Sequence, residues 1–314
     1  MSARILIADK LAKRAGEILQ AAGHEVITRT GLSEAELCLA VKGMDIILVR
    51  SAARITRPII EAADALKAIG RAGTGVDNID VPAATARGVL VMNVPGGNTV
   101  TAAEHTIALM FALARNVPQG DASLRRGEWE RSRFTGIEIT GKTLGILGFG
   151  RIGQLVADRA LGLKMKVVAF DPLVPSFFME AAGVEPIDSL DALLARADIV
   201  TVHIPGGAAT MGLLGRDALA RCRKGALLIN CARGGVIDEA ALAEALKSGH
   251  LGGAAVDVFE TEPPRDSPLL GLPNVVLTPH LGASTHEAQT RVAIAIAEQV
   301  RDFLATGRRH GAVN

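Results

Sequence analysis

Thr143-Leu-Gly-Ile-Leu-Gly-Phe-Gly-Arg-Ile-Gly153 decides the fold. Leu144, Ile146 and Leu147 form a short apolar run that reads as a buried strand, and Gly148, Gly150 and Gly153 follow as G-x-G-x-x-G while a helix opens at Arg151. Gly148 permits a tight turn, Gly150 lets the backbone approach a pyrophosphate, and Gly153 lets the helix pack closely on the strand. Helix N–H groups and the helix dipole then face the anion. A helix over 152–162 leads to a second apolar strand, 167–170, and Asp171 stands at its end. That is roughly twenty residues after the loop, where a carboxylate accepts from a ribose 2′-OH and favours NAD over NADP. Asp171 precedes Pro172, so a plain turn or cap is its alternative reading.

The rest of the chain suits such a site. Its 314 residues suit two domains, and 49% hydrophobic against 21% charged residues describes a globular chain. A net charge of +1, one Trp and no Tyr leave neither a basic field nor a stacking platform, so nucleic acid is not an expected partner. The apolar core of Met1-Ser-Ala-Arg-Ile-Leu-Ile-Ala-Asp9 is too short for a signal peptide, and no later run approaches the ~18 apolar residues of a membrane helix. No membrane partner and a cytoplasmic location are therefore expected. Cys38, Cys222 and Cys231 have neither disulfide nor zinc spacing, so no metal is expected and Cys231 reads as an apolar filler.

Before the glycine loop, strands at 4–8, 25–28, 45–49, 66–70 and 89–93 alternate with helices at 10–22, 33–41, 58–65 and 81–86. Such alternation implies a parallel sheet with helices on both faces. Gly73-Thr-Gly75-Val-Asp-Asn78 lacks a third glycine and reads either as a loop lining a cleft or as a plain turn. Pro95-Gly96-Gly97-Asn98 marks a domain boundary. The run 99–114 that follows is apolar around most of a helix, which suits a domain or subunit interface, and the polar stretch 121–133 with Trp129 reads as an arm reaching outward or as an ordinary surface helix and loop. After the loop come helices at 189–197, 217–223, 239–248 and 285–305, with strands at 199–203, 226–230, 254–259 and 275–278.

Three residues follow strands where ligands of open α/β sheets bind: Arg233, Glu262 and His280. Removing a hydride from a carbon bearing a hydroxyl requires a base for the hydroxyl proton, and histidine titrates nearest neutrality. A carboxylate beside it fixes its tautomer, a role Glu262 fits. A guanidinium holds a carboxylate with two parallel bonds, a role Arg233 fits. Taken singly, Arg233 reads equally as a surface ion pair, Glu262 as a solvated loop residue and His280 as a core histidine.

Together the segments resemble a known family. Leu147-Gly-Phe-Gly-Arg-Ile-Gly153, Asn230-Cys-Ala-Arg-Gly-Gly-Val-Ile-Asp-Glu239, Val256-Asp-Val-Phe-Glu-Thr-Glu-Pro-Pro264 and Thr278-Pro-His-Leu-Gly-Ala-Ser-Thr285 are similar to the signatures of the D-2-hydroxyacid dehydrogenases. Val49-Arg-Ser51, 70–80, 93–98 and 127–131 extend the likeness over nearly the whole chain. The resemblance implies two doubly wound α/β domains: a flavodoxin-like substrate domain, 1–98 with 285–314, and an inserted Rossmann NAD-binding domain, 99–284. It implies that Arg233 binds the substrate carboxylate and that Glu262 pairs with His280, which exchanges the proton. Arg151 and Ile152 are implied to lie along the pyrophosphate, Asp257 to contact the nicotinamide amide, and His203, Pro205, Cys231, Ala232 and Gly282 to border the cofactor. Thr74, Gly75, Val76 and Asn98 are implied to line the cleft, and Arg131 to come from a partner's arm in a homodimer paired through 99–133.

The expected function is NAD-dependent oxidation of the C2 hydroxyl of D-3-phosphoglycerate, with Arg50 and Arg71 at strand ends as phosphate ligands. Reduction of hydroxypyruvate or glyoxylate, turnover of another anionic 2-hydroxy acid, and a dinucleotide-sensing corepressor-like role are the alternatives. Two features depart from the family pattern. His203-Ile-Pro-Gly-Gly-Ala-Ala-Thr-Met211 is a smaller loop beside the adenine and ribose, and ending at Asn314 implies that C-terminal regulatory domains and feedback by serine are absent.

Overall fold

The computed structural model describes residues 2–314; Met1, at the head of the N-terminal stretch read above, lies outside them. The chain divides into two compact units, Met1–Asn98 with Ser284–Asn314, and Thr99–Ala283.

The first unit carries strands β1 (Arg4–Ile7), β2 (Glu25–Thr28), β3 (Ile46–Val49), β4 (Ala68–Arg71) and β5 (Leu90–Met92). Between them run helices α1 (Lys13–Ala21), α2 (Glu34–Ala40), α3 (Arg57–Ala62) and α4 (Val81–Ala86). The strands pair in the order β2-β1-β3-β4-β5, all parallel, the flavodoxin-like arrangement. Alternate side chains serve opposite faces. Ile5, Ile46, Leu48 and Met92 pack with Ala15 and Leu19 of α1 and with Val292, Ile296 and Val300 of the last helix, His286–Thr306. Leu6, Ile47, Val49, Ile69 and Val91 pack on the other face with Leu37, Ile59 and Ile60. Covering both faces explains why β3 and β5 are continuous apolar runs rather than alternating ones.

The second unit opens with α5 (Thr99–Ala114) and α6 (Val117–Arg125), then a 3-10 turn at Arg131–Phe134. Strands β6 (Thr143–Leu147), β7 (Lys166–Phe170), β8 (Glu185–Pro186), β9 (Ile199–Val202), β10 (Leu227–Asn230), β11 (Gly253–Val256) and β12 (Val275–Leu277) follow. They alternate with α7 (Arg151–Gly162), α8 (Ser176–Ala181), α9 (Leu190–Arg196), α10 (Arg216–Arg221) and α11 (Glu239–Lys247). The order is β12-β11-β10-β9-β6-β7-β8, again parallel throughout. The direction of winding reverses between β6 and β9, and ligands of doubly wound sheets bind outside the carboxyl ends at that point. Because every strand is parallel, the residues after β6, β7, β9, β10, β11 and β12 all emerge at one edge.

The helix at 99–114 leaves Val100, Glu104, Ala108 and Phe111 as an exposed stripe of this chain, Val100 at 43%. The stretch read as an arm or a surface helix begins as a helix, because α6 starts at Val117 with Pro118 in its first turn, where a missing N–H costs nothing. One expectation needs correction. The strand read as 254–259 ends at Val256, so Asp257 already belongs to the loop that follows.

Candidate active site

The glycine loop has the shape that an anion requires. At Gly148 φ is +95°, and a side chain would meet the His203 carbonyl at 2.7 Å. A Cβ on Gly153 would stand 2.2 Å from the Gly148 carbonyl, whereas one on Gly150 would enter open space. That space lies before the first turn of α7, whose leading N–H groups have no partner within the helix. Arg151 is exposed there, while Ile152 is half-buried against the core. Asp171, just past β7, spans back to the loop: Oδ2 accepts the Phe149 N–H at 2.8 Å and Oδ1 the Leu173 N–H at 2.9 Å. It is both a turn residue and a carboxylate fixed beside the loop.

At the end of β9, the His203 ring lies 2.9 Å from the Thr201 hydroxyl, and burial pushes its pKa down to about 3, so it stays neutral. The loop after it is closed on itself, because Thr210 donates its hydroxyl to the Pro205 carbonyl at 2.8 Å. Gly206 lets the Arg233 stem lie close; a Cβ would sit 3.1 Å from its Cγ. After β10, Asn230 accepts the Ala232 N–H at 3.0 Å and donates to the Arg233 carbonyl at 3.0 Å, bending the chain beneath Arg233. Ala232 is buried, and burial pushes the Cys231 thiol up to about 12, which leaves it an inert filler.

The loop after β12 is built on Asp257. This carboxylate is fully buried. Its Oδ1 accepts the Thr278 hydroxyl at 2.5 Å and the Leu281 N–H at 2.7 Å, with His105 Nε2 at 3.2 Å, and Oδ2 accepts the Gly282 N–H at 2.8 Å. Burial raises its pKa, but the bonds from His105, Thr278 and the two N–H groups outweigh it, and the net shift is downward. The Asp257 carbonyl also accepts the His280 N–H at 2.9 Å. His280 is thereby held at φ +53°, a conformation rare for a side-chain-bearing residue and concentrated at functional sites.

The His280 ring meets Glu262, with Nδ1 2.8 Å from Oε2 and 3.1 Å from Oε1. Glu262 also accepts the Phe259 N–H at 3.2 Å. The bond to Glu262 raises the His280 pKa above its ordinary value, against the opposing effect of burial. Burial pushes Glu262 upward, but the bond and charge of His280 outweigh it and its net shift is downward. An ionised carboxylate only accepts, so Nδ1 carries the hydrogen and Nε2 is the acceptor of the neutral ring.

In the first unit, Arg50 lies one residue beyond β3, and Arg71 ends β4 opposite Val49, so the two arginines leave adjacent strand ends. The Arg50 turn is pinned from both sides. Asp9 Oδ2 accepts the N–H groups of Arg50, Ala52 and Ala53 at 2.9, 3.1 and 3.0 Å, and Asn78 donates to the Arg50 carbonyl at 3.0 Å. The Arg71 guanidinium folds over Gly73, where any side chain would collide with it. Thr74 donates to Asn98 Oδ1 at 2.7 Å, Gly75 lies between, and the Val76 side chain packs against the core. Arg131 is exposed on the 3-10 turn of the second unit.

Several of these residues escape a reading of the sequence. Asp9, Asn78 and His105 act through partners distant in sequence; His105, for one, lies 3.2 Å from Thr278, 173 positions away. Asp9 alone leaves a local trace, a carboxylate directly after the apolar run of β1. Among the described residues, no group of three or more His, Cys, Asp and Glu could hold a metal ion, and no helix is long and apolar enough to cross a membrane.

The family model for the D-isomer specific 2-hydroxyacid dehydrogenase NAD-binding domain matches residues 107–282. The chain is 50% identical over 311 residues to D-3-phosphoglycerate dehydrogenase of Methanocaldococcus jannaschii, covering 99% of this chain and 59% of that one. It is 46% identical over 311 residues to the human enzyme of the same name, covering 99% and 58%. The chain thus spans little more than half the length of these curated relatives. Among solved structures, the TT0316 protein of Thermus thermophilus superposes with a TM-score of 0.89 at 37% identity, covering 99% of this chain and all of that one.

Proposed function

The chain belongs to the D-isomer specific 2-hydroxyacid dehydrogenase family, and from that premise we propose that it oxidises the C2 hydroxyl of D-3-phosphoglycerate to 3-phosphohydroxypyruvate. The observation that carries this reading is the His280 ring bonded through Nδ1 to Glu262 at the carboxyl edge of the seven-stranded sheet. When bound, NAD supplies the acceptor for the hydride that leaves C2. The residues fit that cofactor: the open space at Gly150 and the N-terminus of α7 suit a pyrophosphate, and Asp171 suits a ribose.

The chain's own groups do the rest. His280 Nε2 takes the hydroxyl proton as the C2 carbonyl forms, and Glu262 stabilises the imidazolium that results. Arg233 holds the substrate carboxylate with two parallel bonds and polarises the nascent carbonyl. Arg50 and Arg71 hold the phosphate, joined by Arg131 from a partner's arm, and Thr74, Gly75, Val76 and Asn98 contribute loop contacts. Asp257 contacts the nicotinamide amide and anchors the His280 loop, a role that its bonds to Thr278, Leu281 and Gly282 support. His203, Pro205, Cys231, Ala232 and Gly282 border the cofactor. The protein acts in the cytoplasm as a homodimer, in which the exposed stripe of α5, with Val117, Leu124 and Trp129 beyond it, forms the covered face.

Initial rates with NAD across a panel of 2-hydroxy acids test the proposal. The highest kcat/KM is expected with D-3-phosphoglycerate; an equal value with glycolate or D-glycerate overturns the substrate, and no turnover of any acid points to a dinucleotide-sensing role. Coenzyme preference is a second measurement. A 2′-phosphate at Asp171 would meet a carboxylate, so NAD is expected to be preferred and Asp171→Asn to narrow the ratio of the NAD and NADP rates. Equal rates with both coenzymes at low concentration in the unaltered protein would remove Asp171 from this role.

A further inference from the structure

We propose that Glu239 is a positioning residue for the general base: its buried carboxylate fixes the 260–267 loop so that Glu262 meets the His280 ring. The proposal rests on the reading of His280 and Glu262 given above. Glu239 is 8% exposed, and a buried carboxylate is stable only where donors meet it. Here every donor comes from the loop that carries Glu262. Oε1 accepts the Glu260 N–H at 2.7 Å, and Oε2 accepts the Ser267 hydroxyl. In return, the Glu239 N–H donates to Glu260 Oε1 at 3.0 Å.

The reciprocal pair grips the loop two residues before Glu262, and Ser267 grips it five residues after. The anchor itself is rigid. Glu239 is the first residue of α11, which Asp238 caps by accepting the Ala241 N–H at 2.9 Å and which buries Ala241, Leu242, Ala243 and Leu246. Glu262 is 39% exposed in its side chain, and its own attachments are the Phe259 N–H and His280. Its aim therefore follows the loop, and a catalytic group holds its geometry only as well as its support.

The test reads the His280 ring directly. Proton NMR titration of the nucleotide-free protein follows the histidine resonance that is missing in His280→Gln. Glu262→Gln removes the neighbouring charge and should lower the midpoint toward the ordinary histidine value. Glu239→Ala should lower it in the same direction, and Glu260→Ala, altering an exposed side chain and removing half of the reciprocal pair, should lower it less. Because a misplacement of ~1 Å can cost on the order of 10²-fold, Glu239→Ala should also reduce kcat by about ten- to a hundred-fold with NAD affinity unchanged. Glu239→Gln keeps an acceptor for the Glu260 N–H and should recover most of both. An unmoved midpoint in Glu239→Ala and Glu260→Ala, with the Glu262→Gln midpoint lowered, would reduce Glu239 to a helix-end fixture and overturn the proposal alone. An unmoved midpoint in Glu262→Gln would overturn the His280 and Glu262 pairing, and the positioning role with it.

Discussion

His280→Gln is expected to lower turnover by about 10²–10⁴-fold while the dissociation constant for NAD stays near that of the unaltered protein. Glutamine keeps a hydrogen-bonding head group but has no group that takes a proton near neutrality. The glycine loop and Asp171 that suit the nucleotide leave other strands and are untouched. The same assignment fixes the sign of the pH dependence. Glu262 raises the His280 pKa, so the neutral ring needed for oxidation accumulates at higher pH than in an ordinary histidine. The rate of 2-hydroxy acid oxidation should therefore rise with pH through the raised pKa, and the rate of 2-keto acid reduction, which needs the protonated ring, should fall through the same value. A His280→Gln protein with near-normal turnover, or an oxidation rate that falls and a reduction rate that rises with pH, would remove the histidine from the proton path.

What the sequence reveals of this molecule divides by the distance over which each signal acts. The glycine loop is legible because its strand, turn and helix lie within 143–162: Gly153 answers a contact inside that unit and Gly150 borders open space, while Gly148 alone meets a residue distant in sequence, the His203 carbonyl. The parallel sheets are legible because strands covered on both faces are mostly apolar, as 46–49 is throughout and 199–202 is apart from the buried Thr201. β8 has no such signal. It consists of Glu185 and Pro186 at the sheet edge, where one neighbouring strand is enough to define it. The apolar periphery of α5 is legible as a face that suits an interface, but which of its residues this chain leaves exposed is not.

The chemistry follows the same division. His280 and Glu262 stand 18 residues apart, and ordered motifs suggest their pairing before the 2.8 Å contact is seen. The supports beneath them leave no such trace. Asp257 is a buried carboxylate met by His105 from α5 and by Thr278, Leu281 and Gly282 from the loop it holds, so its function emerges only when those segments are folded together. Asp9 and Asn78 act likewise on the backbone of the Arg50 turn.

Arg50→Ala and Arg71→Ala are each expected to lower kcat/KM for D-3-phosphoglycerate by about ten- to a hundred-fold, since a hydrogen bond to a charged group contributes roughly 1.5–3 kcal/mol. The effect should be selective. Val49 and Arg71 are partners across adjacent parallel strands, so Arg50 and Arg71 leave neighbouring strand ends. A phosphate can accept several charge-assisted bonds at once, whereas the carboxylate shared by every 2-hydroxy acid is assigned to Arg233. The backbone around Arg50 also implies a demand for accuracy: a buried carboxylate, Asp9, accepts three N–H groups of one turn through a single oxygen, and Asn78 closes the turn from the other side. D-glycerate, which lacks the phosphate, should therefore lose much less than D-3-phosphoglycerate in either variant. Equal losses on the two acids would mean that these arginines hold the loops, as the packing of Arg71 over Gly73 allows, and the phosphate assignment would fall.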